Sequence, residues 1–228
     1  MQNEFDSIME THGVKIWIDN GIISHLVYKD LSESIYEHSE LDILKKTLHP
    51  KDRYLELGGG IGFTGIFAAR ILESPPVLVE ANPNLCKMLS INATLNSVTL
   101  KVLHGAVEVE AEKATFFLQE DFRASSCRYS EGAVSEITVP ILSLEALLSQ
   151  YQPTYLMCDI EGSEVEVLGS STIDGVQKLC IDLHPEYRGK GKTDTLIDYL
   201  QSIGLKVHKS ISKENVVFFS RSDSVDIL

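Results

Sequence analysis

The chain has 228 residues, 43% of them hydrophobic, which is enough for one α/β domain with an N-terminal attachment. Its 33 acidic residues outnumber 20 basic ones, and the net charge of −13 opposes sequence-independent binding to nucleic acid, which rests on neutralising phosphates. No apolar run approaches the roughly 20 residues of a membrane-spanning helix, Met1 to Gly13 is acidic and polar rather than a secretory signal, and four cysteines (Cys86, Cys127, Cys158, Cys180) without C-x-x-C spacing point to reduced thiols in a cytoplasmic protein and argue against zinc.

Val14–Asp19 and Ile22–Tyr28 read as two strands around Asn20-Gly21, a strong short hairpin signal. Residues 33–48 read as a helix with Ile35, Leu41, Leu44 and Leu48 on one side, ended by His49-Pro50. Hairpin and helix form an N-terminal unit, residues 1–50, before a main domain over 51–228. Tyr36 and Glu37 are candidates to reach from that helix over a site in the main domain.

The main domain opens with Tyr54-Leu55-Glu56-Leu57, an apolar strand carrying one acid. Gly58-Gly59-Gly60-Ile61-Gly62 follows, then a helical pattern (Phe63, Ile66, Phe67, Ile71), a second strand Val77-Leu78-Val79, and Glu80 at its end. Strand, glycine turn, helix, strand and acid make a βαβ unit with a nucleoside-binding turn. Glycines let the backbone approach a ligand, and an acid about 20 residues on accepts hydrogen bonds from both ribose hydroxyls. Two templates fit. Gly60-x-Gly62-x-x-Gly65 matches a dinucleotide fingerprint, although its glycines lie late relative to the strand end at Leu57. Glu56-x-Gly58-x-Gly60-x-Gly62 matches an acid-x-Gly-x-Gly-x-Gly pattern.

Asn82 and Pro83 start the next helix, 83–95, with Leu85, Met88, Leu89 and Ile91 inward. Thr99–His104 is a third strand, and Gly105-Ala106-Val107 stands where such folds meet a nucleobase. Between 108 and 140, Ala114–Leu118 and Ile137–Val139 read as strands and Phe122–Cys127 as a loop near the site; Ser143–Leu148 is a short capped helix. Tyr155–Ile160 is the fourth core strand and Leu179–His184 the fifth. A helix over Thr193–Ile203 precedes a closing antiparallel pair, Leu205–His208 with Val216–Phe219. The alternation predicts an α/β fold: a Rossmann-like, doubly wound, mostly parallel seven-stranded sheet.

Ligands of open α/β sheets bind beyond the carboxyl ends of the strands. Asp159, Glu161, Asp182 and His184 stand there. Histidine is the most frequent general base, and the carboxylates serve either to orient a hydroxyl or to bind Mg²⁺. The catalytic candidates are therefore Asp159, Glu161 and His184, with no metal ligands assigned. Arg188-Gly189-Lys190-Gly191-Lys192 reads as a solvated loop, with a clamp for an anionic substrate as the alternative.

The Glu56-to-Gly62 stretch resembles the first motif of class I S-adenosylmethionine methyltransferases. The chain as a whole, over roughly residues 34–220, resembles the FkbM-type methyltransferases. Four stretches carry the likeness: Tyr36-Glu37; Glu56 to Gly62; Val79-Glu80-Ala81-Asn82-Pro83-Asn84 with Asn92 and Asn96; and Cys158-Asp159-Ile160-Glu161-Gly162-Ser163-Glu164-Val165-Glu166-Val167-Leu168. His184-Pro185 also fits. The likeness implies S-adenosylmethionine as methyl donor, held by Tyr36, Glu56, Gly58, Gly59, Gly60, Gly62, Glu80, Ala81, Asn82 and Ala106, and O-methylation of a small molecule or glycan. The chain departs from the family pattern at Glu56, Gly59-Gly60, Ala81 and Met157. The competing readings are a nicotinamide-dependent oxidoreductase on the same fold and a non-catalytic S-adenosylmethionine-binding protein.

Overall fold

The computed structural model describes residues 7–109, 112–129 and 131–222. Residues 1–6, the opening of the stretch read as lacking a secretory signal, lie outside the described residues.

The chain begins with a two-stranded antiparallel hairpin, β1 (Ser7–Thr11) and β2 (Val14–Ile18). Its turn is His12-Gly13, both at positive φ (49° and 78°), as a two-residue hairpin turn requires. The expected hairpin around Asn20-Gly21 is therefore not formed. Asp19 instead closes a turn there: its side chain accepts from the Gly21 N–H at 2.8 Å and its carbonyl from Ile22 and Ile23. Ser24 then caps a helix, α1 (His25–Ser32), whose Val27 and Leu31 are buried. Helical spacing of Ile23, Val27 and Leu31 wins over strand propensity. The helix expected over 33–48 starts later, as α2 (His38–Thr47), because Ser34 and Glu37 adopt left-handed backbone (φ 59° and 45°). Ile35, expected inward, is 52% exposed.

The main sheet follows from β3 (Tyr54–Leu57), α3 (Phe63–Ala69), β4 (Val77–Glu80), α4 (Pro83–Leu95) and β5 (Lys101–His104). One short strand and a hairpin arm come next: β6 (Ala106–Val107), then β7 (Lys113–Leu118) and β8 (Ser135–Leu142). Then come α5 (Leu144–Tyr151), β9 (Tyr155–Cys158), α6 (Glu164–Ser170), β10 (Lys178–Asp182), α7 (Pro185–Arg188), α8 (Lys190–Ser202), β11 (Lys206–Val207) and β12 (Val216–Ser220). Seven strands lie in the order β11-β12-β10-β9-β3-β4-β5, with β12 antiparallel to both neighbours and the remaining pairs parallel. This is the expected Rossmann-like sheet. β3, β4 and β9 are buried at every residue, as strands covered on both faces must be. One face packs against α5, α6 and α8 through Leu144, Leu147, Val167, Leu168, Leu196 and Leu200; the other packs against α2 and α3 through Ile43, Leu44 and Ala68, while Phe63, Ile66 and Met88 of α3 and α4 pack with Val14, Ile16 and Ile18 of the N-terminal hairpin. Successive strands leave β3 in opposite directions toward β4 and β9, which opens a crevice beyond their carboxyl ends.

The arm β7–β8 contains both strands expected between 108 and 140, each longer than read, and forms a separate three-stranded sheet in the order β6-β8-β7.

Asn92 of α4 and Asn96, its C-cap, dock the N-terminal hairpin. Asn92 Oδ1 accepts from the Trp17 N–H at 2.8 Å while its Nδ2 donates to the Ile61 carbonyl at 2.9 Å. Asn96 accepts from the Lys15 N–H and donates to the Lys15 carbonyl at 2.9 and 2.7 Å. Two side chains thus pair the free edge of β2. Asn92 is fully buried, whereas Ile91, expected inward, is 40% exposed. Asn92→Ala would leave the Trp17 N–H and the Ile61 carbonyl without partners and is expected to destabilise the chain by about 3 kcal/mol, read by urea unfolding.

Candidate active site

The bend after β3 closes against β9 and β4. Gly58, Gly60 and Gly62 all have positive φ (89°, 50° and 85°). A Cβ on Gly58 would lie 1.7 Å from the Asp159 carbonyl oxygen, so no side chain fits there. A Cβ on Gly60 would meet Tyr36, Phe122 and Glu37 at 3.8–4.0 Å, ordinary contact distance. The Gly60 N–H donates to Glu80 Oε2 at 2.8 Å, and Glu80 Oε1 accepts from the Asn82 N–H at 2.7 Å. Glu80 therefore points at the bend. Burial pushes its carboxyl up to about 7, against the lowering effect of these backbone donors.

The bend, Glu80 and the strand tips enclose a cleft of about 730 Å³. Of the sequence-derived candidates, Tyr36, Gly58, Gly60, Glu80, Ala81, Asn82, Ala106, Asp159 and Glu161 line it. Glu56, Gly59, Gly62 and His184 do not. Gly59 and Gly62 are packing glycines, where a Cβ would press on Leu78 or Leu89. Glu56 is sealed beneath α3, accepts from Thr64 Oγ1 at 2.5 Å, and is pushed up to about 8 by burial. Thr64 also hydrogen-bonds Glu37, which lines the cleft, and the Glu56 charge acts on Glu37 directly. The far wall holds residues the sequence did not single out: Phe116, and Glu108, which accepts from Ser163 Oγ at 2.5 Å and pairs with Arg128 at 3.2 Å. Phe122 and Arg123, from the loop read as lying near the site, close the cleft over Gly60. Arg188–Lys192 is the junction of α7 and α8, and Gly189 to Lys192 line no part of this cleft.

A second cavity of about 940 Å³ adjoins the first and shares Tyr36, Glu37, Arg123, Asp159 and Glu161 with it. Asp159 and Glu161 thus stand at the junction. Asp159, Glu161, Asp182 and His184 converge as expected. His184 Nε2 lies 3.3 Å from Glu161, 3.7 Å from Asp159 and 3.9 Å from Asp182. Its Nδ1 is 3.0 Å from Glu164 Oε1, and Glu164 is itself held by the Ile160 and Gly162 N–H groups. Burial opposes the charged imidazole, but the Glu164 hydrogen bond and the Asp159 and Glu161 carboxylates outweigh it and push His184 up to about 10. His184 is therefore an imidazolium at neutral pH, its Nδ1 donating to Glu164 and its Nε2 facing three acids, and not the free base the sequence suggested. Loss of solvent, then Glu161 and Asp182, raise Asp159; its Oδ1 has no hydrogen-bond partner among the described residues. Loss of solvent raises Glu161 to about 8, partly offset by His184. Glu161 and Glu37 are both in left-handed backbone (φ 50° and 45°), a conformation that costs about 1 kcal/mol or more per non-glycine residue and that aims both carboxylates at the junction.

Among the described residues, the ligand atoms of Asp159, Glu164 and His184 lie within 4.8 Å of one another. Glu164 and His184 are already bonded to each other and to the backbone, so a divalent ion would have to break that network. The donor set does not fit Mg²⁺ as it stands.

The charge states carry a stability prediction. Burial raises Glu37, Glu40 and Glu56 from the ordinary 4.5 to about 8, and Glu80 to about 7. Between 4.5 and those values the folded chain holds more protons than the unfolded one, so stability falls as pH rises. The stabilisation from His184 is complete below its ordinary 6.5 and is lost as pH rises through about 10, which has the same sign. The unfolding free energy of the ligand-free chain is expected to drop by about 3 kcal/mol or more from about pH 6 to about pH 9. A flat or rising profile in urea titrations would contradict these protonation states.

A family model described as the methyltransferase FkbM domain matches residues 60–207, more than half of the chain. The chain belongs to the FkbM methyltransferase family. No curated protein matches it. Among solved structures, it is similar to wild-type Trm5b of Pyrococcus abyssi, with a TM-score of 0.51 and 14% identity over 96% of this chain and 56% of that one. It is also similar to precorrin-6y C5,15-methyltransferase of Geobacter metallireducens (TM-score 0.49, 11% identity, 80% of this chain and 85% of that one). A third is a methyltransferase of Pyrococcus furiosus (TM-score 0.48, 11% identity, 92% and 90%). The FkbM family implies S-adenosylmethionine as donor, and the cleft fits it. Each Glu80 oxygen holds one N–H donor and retains capacity for another. Leu85, Ala106, Val107 and Phe116 give the cleft the apolar walls that an adenine ring needs. Among the described residues, no helix is long and apolar enough to cross a membrane.

Proposed function

We propose that this FkbM-family chain O-methylates a hydroxyl of a small molecule or a glycan, using S-adenosylmethionine. The observation that carries the reading is the placement of Asp159 and Glu161 at the junction of the cleft lined by the glycine bend and Glu80 and a second, polar cavity. Tyr36, Gly58, Gly60, Glu80, Ala81, Asn82 and Ala106 hold the cofactor. When bound, S-adenosylmethionine supplies a methyl group on an electrophilic sulfonium. Asp159 receives the acceptor's hydroxyl proton at Oδ1, its unpartnered oxygen, and Glu161 aligns the hydroxyl. His184 is a positioning residue: as an imidazolium tied to Glu164, it fixes both carboxylates and tempers their repulsion. The oxidoreductase alternative is disfavoured by the match of residues 60–207 to the methyltransferase FkbM domain. The free thiols at Cys86, Cys127, Cys158 and Cys180 suit a reducing compartment, which is the basis for proposing the cytoplasm as the site of action.

The test is transfer of labelled methyl from S-adenosylmethionine to a panel of hydroxyl compounds, with the product bond assigned by NMR. A new O-methyl signal, absent with Asp159→Asn, is expected. Transfer only to nitrogen or carbon would refute the reaction class.

A further inference from the structure

The second cavity has a charge pattern that names its ligand. Six carboxylates line it: Glu37, Glu40, Asp159, Glu161, Asp182 and Glu214. Arg123 is the one Lys or Arg among its described lining residues, and its guanidinium is already committed. It donates to Asp30 at 2.6 Å and to Asp121 at 2.6 and 3.0 Å. His38, on the rim, faces Asp42 at 3.4 Å. Glu40 is the telling member. It is only 8% exposed, it lines the cavity, and the one hydrogen bond to its carboxyl comes from its own backbone. A buried carboxylate with no partner from another residue costs free energy unless something else satisfies it.

We infer that the acceptor carries an ammonium group, seated in the second cavity among Glu40, Glu37 and Glu214 while its hydroxyl meets Asp159. This inference rests on the methyl-transfer reading of the same site. His184 already faces Asp159, Glu161 and Asp182, so the groups left for the ammonium are Glu40, Glu37 and Glu214. An ammonium brings three donors and a positive charge, and as it enters, Glu40 and Glu37, which burial pushes up to about 8, give up their protons and become its partners. A neutral polyol offers these groups no charge to ionise against. The ammonium is a recognition handle, not the nucleophile, because its nitrogen holds no lone pair while charged.

The experiment is ligand-observed NMR titration at neutral pH, with S-adenosylhomocysteine present, of two matched pairs: glucosamine with N-acetylglucosamine, and 2-deoxystreptamine with scyllo-inositol. The cationic member of each pair is expected to bind at least about tenfold more tightly than its neutral partner. Glu40→Gln should erase most of that preference. Glu214→Gln, at an exposed rim position that tolerates substitution, should reduce it about two- to threefold in a chain of native stability. Equal binding within both pairs, or tighter binding of the neutral members, overturns the inference, as does a preference untouched by either variant. S-adenosylhomocysteine is the separate readout: its failure to bind overturns the methyl-transfer reading and the acceptor assignment with it, whereas its binding without an ammonium preference overturns the acceptor inference alone.

Discussion

Asp159→Asn is expected to lower kcat by about 10²- to 10⁴-fold while leaving S-adenosylhomocysteine affinity within about threefold. The carboxylate lines both cavities, and its Oδ1 lacks a hydrogen-bond partner among the described residues. Glu161 and Asp182 raise its proton affinity beyond what loss of solvent does alone, so it is a stronger base than an ordinary aspartate. An amide of the same shape removes that basicity and leaves the packing against Gly58 intact, because Gly58 touches the backbone of residue 159 and not its side chain. Folding should be unharmed or slightly improved, since the substitution removes one like charge from a crowded cluster. Full turnover in a folded Asp159→Asn would remove Asp159 from the chemistry and return the choice of base to Glu161.

Glu80→Gln is expected to weaken S-adenosylhomocysteine binding by about 10²-fold or more, since a hydrogen bond to a charged acceptor contributes about 1.5–3 kcal/mol and two ribose hydroxyls are involved. The substitution also sets donor against donor. Both Glu80 oxygens accept backbone N–H groups, from Gly60 and from Asn82, so an amide must turn its NH₂ toward one of them. A second readout separates ligand loss from a disturbed bend. Glu80 titrates near 7 because it is buried, so native affinity should fall as pH drops below about 7, as the charged acceptor is lost. That pH dependence should vanish in Glu80→Gln. If both proteins bind equally at every pH, Glu80 is not the ribose acceptor.

Much of this site was legible in the sequence because local chemistry determines it. The glycine bend is read from residues that sit next to one another, and Glu80 lies one βαβ unit further on, where the geometry of that unit leaves little choice. The convergence of Asp159, Glu161, Asp182 and His184 followed likewise from strand ends alone. What escaped was whatever tertiary contacts decide. His184 stood where expected, but its charge is set by Glu164, which comes from α6 and is held by backbone N–H groups. Glu56 matched a motif position yet faces Thr64 beneath α3. The Asn20-Gly21 signal was real as a turn, but Ser24 and the Val27–Leu31 stripe converted the following segment into helix. Glu40 left a trace that could have been read: it shares the buried stripe of α2 with Leu41 and Leu44, and an acid on an apolar stripe asks for a reason. The β7–β8 arm was legible only as two separate strands, since nothing local to either shows that they pair with each other and that β8 also pairs with β6.

The account depends most on what the bend grips. Calorimetric titration of the purified native chain with S-adenosylhomocysteine and, separately, with NADH tests that directly. One-to-one binding of S-adenosylhomocysteine in the micromolar range, with no heat from NADH, is the predicted result. Saturable binding of NADH with none of S-adenosylhomocysteine would contradict it.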